Sequence, residues 1–324
     1  MKSCAAIFAV CLLICCTALA QNSSPGSPAS AVESKDGIST ATQLTTPAEH
    51  VDLTPDATGK LSQEQMQNLF RAAAEKDVEN EKRQRDYTYI EREVQNNLDG
   101  NGNNKSTEIK TYEILEIYGE QVQRLIEKDD KALNSKDAAK EEEKIQKIID
   151  KRKNESEEAR KKRQEKEAKE REDGFKFVHE IADAYDFKLV GTEQVNDREA
   201  WVIDGEPRSD FVPHMKQSKF LTKFRGRVWI DKSDLQLAKM DITAIDNISV
   251  GLFLARLHKG ARITIEQVRV NDEVWLPRRV TYKVEARIAL LKGFNVDGEQ
   301  TYRDYKKFRT SSRIIGMGEI QESK

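Results

Sequence analysis

Val274-Trp275-Leu276-Pro277-Arg278-Arg279-Val280-Thr281-Tyr282-Lys283-Val284-Glu285-Ala286-Arg287-Ile288 is the stretch that decides the fold. Val280, Tyr282, Val284, Ala286 and Ile288 point one way, and Thr281, Lys283, Glu285 and Arg287 point the other. Side chains alternate across a strand, so this is a long strand with one dry face and one wet one. Leu235 to Ile245 reads the same way, with Met240, Ile242 and Ala244 opposing Lys239, Asp241 and Thr243.

Working outward, strands are expected at Phe187 to Val195, Ala200 to Asp204, Arg227 to Asp231, Ala261 to Val270 and Phe294 to Phe308. The turns Asn196-Asp197, Lys232-Ser233-Asp234, Asn271-Asp272 and Lys292-Gly293 are short, which makes neighbours in sequence neighbours in an antiparallel meander. Upstream, strands run from Asp86 through Tyr87-Thr88-Tyr89-Ile90 to Val94, from Ser106 to Tyr118, and from Val122 to Glu127. Between the first two, Asp99, Asn101 and Asn103 have the spacing of a calcium loop. Asn104 stands where that loop needs glycine and Lys110 where it needs glutamate, so the run reads as a hairpin turn.

About ten strands curl under their own twist. The expected fold is α+β: an unclosed antiparallel β-barrel of about ten strands with helices plugging the concave face. One helix starts after the cap Ser62, has Glu64 in its first turn, and carries Met66, Leu69, Phe70 and Ala73 on one stripe. The other presents Phe175, Val178, Ile181 and Ala182.

Ser135 to Glu172 consists almost wholly of Lys, Arg, Glu, Gln and Ala, without Pro or Gly, and reads as one long charged helix inserted in the sheet. Glu143 with Lys147, Glu157 with Lys161, Glu158 with Lys162 and Glu165 with Lys169 are favourable i to i+4 pairs, each worth about 0.2–0.5 kcal/mol. Ile145, Ile148 and Ile149 are its only sizeable apolar group, so its first half packs and the part beyond Arg152 is solvated. No apolar heptad runs through it, which argues against a coiled coil. A stiff spacer and a partner-binding arm both fit.

Lys2 and the apolar run Ala5 to Ala20, ending in Ala18-Leu19-Ala20, read as a secretory signal and place the mature chain in the periplasm or outside the cell. The layout is therefore 1–20 signal peptide, 21–60 disordered linker, 61–134 first helix and strands, 135–172 charged helical insertion, 173–310 remaining half-barrel and 311–324 tail. Cys4, Cys11, Cys15 and Cys16 all lie in the leader, so cleavage leaves no disulfide and no thiolate site. A lipid anchor on Cys15 or Cys16 is the competing reading, and Ile14 and Cys15 are poor residues ahead of such a cysteine. In 324 residues, 34% charged and 37% hydrophobic content concentrates the core in part of the chain, and the net charge of −2 gives no electrostatic case for nucleic acid.

His50, His179, His214 and His258 lack ligand spacing, and no hydrolase, metalloprotease or phosphate-loop motif occurs. Carboxylate pairs such as Asp183 with Asp186 or Asp241 with Asp246 are expected by chance in a chain with 56 Asp and Glu residues. No enzyme activity, cofactor or metal is expected. Trp201, Trp229 and Trp275 read as structural strand residues before ligand-stacking ones.

Three segments carry a resemblance: Arg225-Gly226-Arg227-Val228-Trp229-Ile230-Asp231, Asn196-Asp197-Arg198-Glu199-Ala200-Trp201-Val202, and Asn271-Asp272-Glu273-Val274-Trp275-Leu276-Pro277-Arg278. With the charged helix as an insertion, the chain from Leu61 to Arg309 resembles the bacterial lipoprotein-carrier superfamily of the LolA, LolB and RseB type. It is also similar to a secreted family of soil bacteria of the acidobacterial type. The resemblance implies a periplasmic carrier or sensor of acyl chains or lipoprotein, and no enzyme. The long helix and the leader depart from those carriers.

The candidate ligand-binding residues are Leu252, Phe253, Leu254 and Leu257 on an apolar loop, and Met240, Ile242, Tyr282 and Val284 on the concave face. The loop, Asn247 to Leu257, either plugs the barrel mouth or meets a lipid or a partner, with Arg256, His258 and Lys259 placed for anionic headgroups. Two function classes follow: a carrier or sensor of a hydrophobic ligand, or a structural module with a filled core whose charged helix reaches an envelope protein.

Overall fold

A computed structural model describes residues 51–118, 120–250, 255–288 and 292–307. The stretches read as signal peptide and, up to residue 50, as linker, the four cysteines, Leu252, Phe253, Leu254 and the stretch read as a C-terminal tail lie outside these residues. No helix among the described residues is long and apolar enough to cross a membrane.

The strands form one antiparallel sheet. They are β1 (Lys60–Leu61), β2 (Tyr87–Leu98), β3 (Asn104–Ile117), β4 (Glu120–Lys128), β5 (Lys131–Ala132), β6 (Tyr185–Val195) and β7 (Arg198–Pro207). They continue with β8 (Phe224–Asp231), β9 (Leu237–Ala244), β10 (Ile248–Val250), β11 (Ala255–Leu257), β12 (Arg262–Val270), β13 (Val274–Ile288) and β14 (Lys292–Lys307). The order is β1-β6-β7-β8-β9-β12-β13-β14-β2-β3-β4-β5, with β1 and β5 at opposite edges, so the sheet does not close. It has 14 strands where about ten are expected, and the excess consists of the short β1, β5, β10 and β11.

Asn196 and Asp197 (φ 51° and 61°), like Asn271 and Asp272 (51° and 56°), take the double left-handed conformation of a two-residue hairpin turn. Asp99 accepts the amides of Asn101 (2.8 Å) and Asn103 (2.9 Å), which is a hairpin use of that carboxylate. The described ends of the stretch read as an apolar loop, Ile248–Val250 and Ala255–Leu257, are strands: β10 pairs with β11, and β11 pairs with the end of β13.

Helix α1 (Gln63–Gln84) starts with a capping box: Gln65 donates its amide to the Ser62 hydroxyl (3.1 Å) and accepts the Ser62 amide (2.8 Å). Its Met66 and Leu69, both fully buried, pack with Tyr185, Phe187, Ile203 and Ile230 of β6, β7 and β8. Leu53 joins this core and Val51 lies against it, so order extends into the stretch read as linker up to residue 60.

The charged segment is not one helix. Helix α2 (Ser135–Lys153) stops at Asn154, and α3 (Glu157–Ala184) restarts on the Ser156 cap, whose hydroxyl accepts the Ala159 amide at 3.2 Å. Glu155 in the break pairs with Arg152 (3.2 Å) and Arg163 (2.9 Å). Helix α3 fuses the solvated charged half to the apolar helix expected separately. Ile181 packs on the core, Ala182 is fully buried and Val178 is half-buried, as the expected stripe requires, whereas Phe175 is 36% exposed and Phe177, with Ala184, is buried in its place.

Helices α1 and α3 define the inner face of the sheet, and α2 lies on the outer one. Ile145, with Ile148 and Ile149 against it, packs on Leu115, Ile117 and Val122 of β3 and β4. Glu141 accepts the Leu125 amide (3.2 Å), and Lys144 donates to the Gln123 carbonyl (3.2 Å). Those are edge groups of β4 beyond the reach of β5, which pairs only with Glu127 and Lys128. The first half of the insertion therefore shields a sheet edge. Ile145→Asp should unseat α2 at about 2–4 kcal/mol, in line with losing a buried large side chain, and uncover that edge. Light scattering should then show concentration-dependent oligomers; a monomeric variant would rule out the shielding role.

Candidate functional site

The cross-strand register puts Phe187, Gly205, Gly226, Ile242, Ile263, Tyr282, Gly298 and Gln95 in one row along the inner face. The row changes character as it crosses the sheet. At β6 to β9 it is apolar and lies under or beside the helices; at β14 and β2 it is polar. Next to it run Ile203, Val228, Met240, Ile265, Val280, Gln300 and Glu93, with the same change.

The change turns on Tyr282. Its ring lies across Gly298, where an added Cβ would sit 2.5 Å from Cζ and Oη and 2.7 Å from the Val94 carbonyl oxygen. Only glycine fits there, and the glycine lets the tyrosine reach over β14 to β2. The hydroxyl comes within 3.4 Å of Glu93 Oε1 and 3.5 Å of Gln95 Oε1. Gln300 Nε2 donates to the same Glu93 oxygen at 3.4 Å. Burial and the Glu93 carboxylate push the Tyr282 hydroxyl well above the ordinary phenol range, so it stays protonated and can donate.

Two residues along β2, Glu91 is 6% exposed and faces Tyr302 of β14 on one side and Tyr112 of β3 on the other. Gln123 Nε2 of β4 donates to Glu91 Oε2 at 3.1 Å. Desolvation, with a smaller contribution from Glu93, pushes this carboxyl up to about 7. Tyr89 packs edge-on to Tyr302 (5.9 Å between ring centroids) and against Tyr305 (5.7 Å). Burial and neighbouring carboxylates push Tyr112 up to about 12.

The candidate residues separate on this frame. Met240 and Ile242, 2% and 5% exposed, form a core cluster with Ile265, against which Val280 and Ile263 pack. Tyr282 and Val284 are half-buried on the same face, beyond that cluster. Leu257 packs elsewhere, against Ala244, Ile248 and Ala261. The polar members of the face, Glu91, Glu93, Gln95 and Gln300, are absent from the sequence-based candidates. Their signal is the alternation Tyr87, Tyr89, Glu91, Glu93, Gln95 along one strand.

On the outer face, β12, β13, β14 and β2 form an open trough of about 640 Å³ lined mainly by Thr264, Thr281, Thr301 and charged side chains. Its arginines are engaged: Arg92 grips Asp130 (2.8 and 2.9 Å), and Arg262 holds Asp241. Asp246 is held by Lys223 at 2.5 Å, so Asp241 and Asp246 belong to separate ion pairs. No group of three metal-binding side chains occurs among the described residues.

Glu91 supports a pH prediction. Its folded value near 7 lies above its ordinary 4.5, so its burial costs nothing below about pH 4.5. Stability then falls as pH rises to about 7 and stays lowered above it, by up to about 3 kcal/mol. Glu91→Gln, which keeps the shape, should remove that slope and be the more stable form at pH 8. Urea unfolding at pH 5 and 8 measures both effects, and equal slopes in the two proteins would contradict the burial argument. Separately, Gly298→Ala should cost about 1–3 kcal/mol by overpacking and expel the Tyr282 ring, seen as altered tyrosine fluorescence and near-UV circular dichroism.

No family model and no curated protein matches the sequence. Among solved structures, the chain is similar to a proposed outer membrane lipoprotein-sorting protein domain from Vibrio parahaemolyticus. The match has 13% identity and a TM-score of 0.31, and covers 76% of this chain and 95% of that one. It is similar to a LolA superfamily protein from Nitrosomonas europaea, with 10% identity, a TM-score of 0.29, and 75% and 94% coverage. A third is the Pseudomonas aeruginosa MucA/MucB complex, with 9% identity, a TM-score of 0.19, and 74% and 99% coverage. At such scores the architecture rests on this chain's own strand order and register, and no ligand is transferred. That order is an unclosed antiparallel sheet with helices in its inner face, the form that the resemblance to lipoprotein-carrier proteins implies.

Proposed function

We propose that this protein is a non-enzymatic carrier or sensor of the cell envelope that binds a hydrophobic ligand on the inner face of β13, β14 and β2, with its acyl chain along Val280, Tyr282 and Val284 of β13. The observation that carries this reading is the uneven cover of the inner face. Core side chains of α1 and α3 pack on β6, β7 and β8, whereas Val280, Tyr282 and Val284 stay half-buried beyond them. Apolar side chains left partly open beside a filled core are where an acyl chain removes surface from water, at roughly 25 cal/mol per Å². The N-terminal run from Ala5 to Ala20, read as a secretory leader, supports an envelope setting.

The second reading, a structural module with a partner-binding arm, is favoured at the other end, where Met240 and Ile242 are permanent core. It also fits α3, whose charged half is exposed at residues 157–162, 164–166 and 168–170. The two readings differ in what Val284 does. Val284 belongs to none of the core clusters formed by the described residues. Val284→Asn should therefore leave the urea midpoint nearly unchanged while weakening a fluorescent fatty-acyl probe about tenfold, or ~1.4 kcal/mol. A wild-type protein that takes up no acyl probe would overturn the carrier reading in favour of the structural module.

A further inference from the structure

The polar end of the same face says which ligand chemistry fits. Glu91 and Glu93 lie two residues apart on β2, so they are about 7 Å apart along the strand and on one face. Neither forms an ion pair with any described residue. Each carboxylate uses a single oxygen: Oε2 of Glu91 accepts from Gln123, and Oε1 of Glu93 accepts from Tyr282 and Gln300 at 3.4 Å. The lysine opposite Glu93 in register, Lys110, is bonded to Glu108 at 3.1 Å. The two carboxylates thus lie two strands from β13, Glu93 across Gln300 from Val280 and beside the Tyr282 hydroxyl that reaches over β14, Glu91 across from Tyr302.

We infer that the ligand is a cationic amphiphile, its alkyl chain lying along Val280, Tyr282 and Val284 and its ammonium head held between Glu91, Glu93 and the rings of Tyr89, Tyr112 and Tyr302. This rests on the acyl-binding reading and adds the sign of the headgroup. A positive head is attracted both by the carboxylates and by the negative ring faces, and the attraction is stronger in a partly desolvated site than in water. Above about pH 7, where Glu91 is ionised, a fatty acid or phosphate head would place an anion against two carboxylates without an ion-pair partner among the described residues. A neutral head would forgo the attraction.

The test compares three probes of equal chain length below their micellar concentrations: dodecyltrimethylammonium, dodecyl maltoside and dodecanoate, titrated calorimetrically into the purified protein at pH 8. The cation should bind at least about tenfold tighter than the maltoside, and dodecanoate most weakly. Glu91→Gln and Glu93→Gln should together bring the cation to within about twofold of the maltoside, with maltoside affinity unchanged. The unchanged maltoside affinity shows that the variant is folded. If the maltoside binds and the cation binds no tighter, or dodecanoate binds best, the headgroup inference falls and the acyl site stands. If none of the three binds, the acyl site itself falls.

Discussion

Helix α1 is the element on which the rest of the sheet depends. Its 22 residues span about 33 Å at 1.5 Å per residue, enough to cross from one half of the sheet to the other. At its start, Met66 and Leu69 fill the core over β6 to β8, and Gln65 ties in the incoming chain through the Thr54 carbonyl at 2.8 Å. Near its end, the buried Asn80 accepts the Trp275 amide (2.7 Å) and donates to the Trp275 carbonyl (3.0 Å). Gln84 adds a second donor to that carbonyl at 2.7 Å. An asparagine side chain matches both polar groups of a strand residue at once. Without it the Trp275 amide would be buried unsatisfied and the carbonyl would keep Gln84 alone. The chain then turns directly into β2, so one helix sets the spacing between the filled end of the inner face and the open one.

A second fixed point explains why the segments that carry the family resemblance look as they do. Arg198 of one hairpin clasps Asp231, 1% exposed, from the next (2.7 and 2.8 Å). Asp231 also accepts the Ser233 and Asp234 amides of the turn that follows. Asp234 accepts the Trp275 indole N–H at 2.8 Å, and the Arg198 guanidinium lies 5.5 Å from that ring's centroid. The three segments thus meet in one satisfied polar network. Their chemistry is that of holding hairpins together, and a likeness in these residues reports a sheet rather than a ligand.

Alternation along Leu235 to Ile245 and Val274 to Ile288 was enough to read the strands, because a residue spacing of two survives any tertiary context in which one face is buried. The hairpin turns at Asn196 and Asn271 were equally readable, since few residues tolerate two successive left-handed conformations. The break at Asn154 to Ser156 was not. Helix propensity there is adequate, and it is the Ser156 cap with the Glu155 ion pairs that stops one helix and starts another. Phe175 and Phe177 are both apolar on one helix, and only the docking angle decides which is buried. The site divides likewise: Tyr282 and Val284 follow from alternation, whereas Glu91 sits on a strand whose inner residues are polar. Hydrophobic patterning passes over such a face.

That polarity is itself informative. A carboxylate 94% withdrawn from water beside tyrosines, with one amide as partner, lowers stability at neutral pH, and an apolar residue in its place would pack between Tyr112 and Tyr302 without that penalty. The opposite half of the same face shows that this sheet can be lined that way, with Met240 and Ile265 in the row of Glu93 and Ile242 in the row of Gln95. Structural need therefore accounts for the filled half and not for the polar one. A destabilising group held in place where the fold has an easier alternative is the physical mark of a site kept for what it contacts. The glycine beneath Tyr282 is of the same kind: it weakens a strand in order to let one ring cross it and place a hydroxyl beside Glu93.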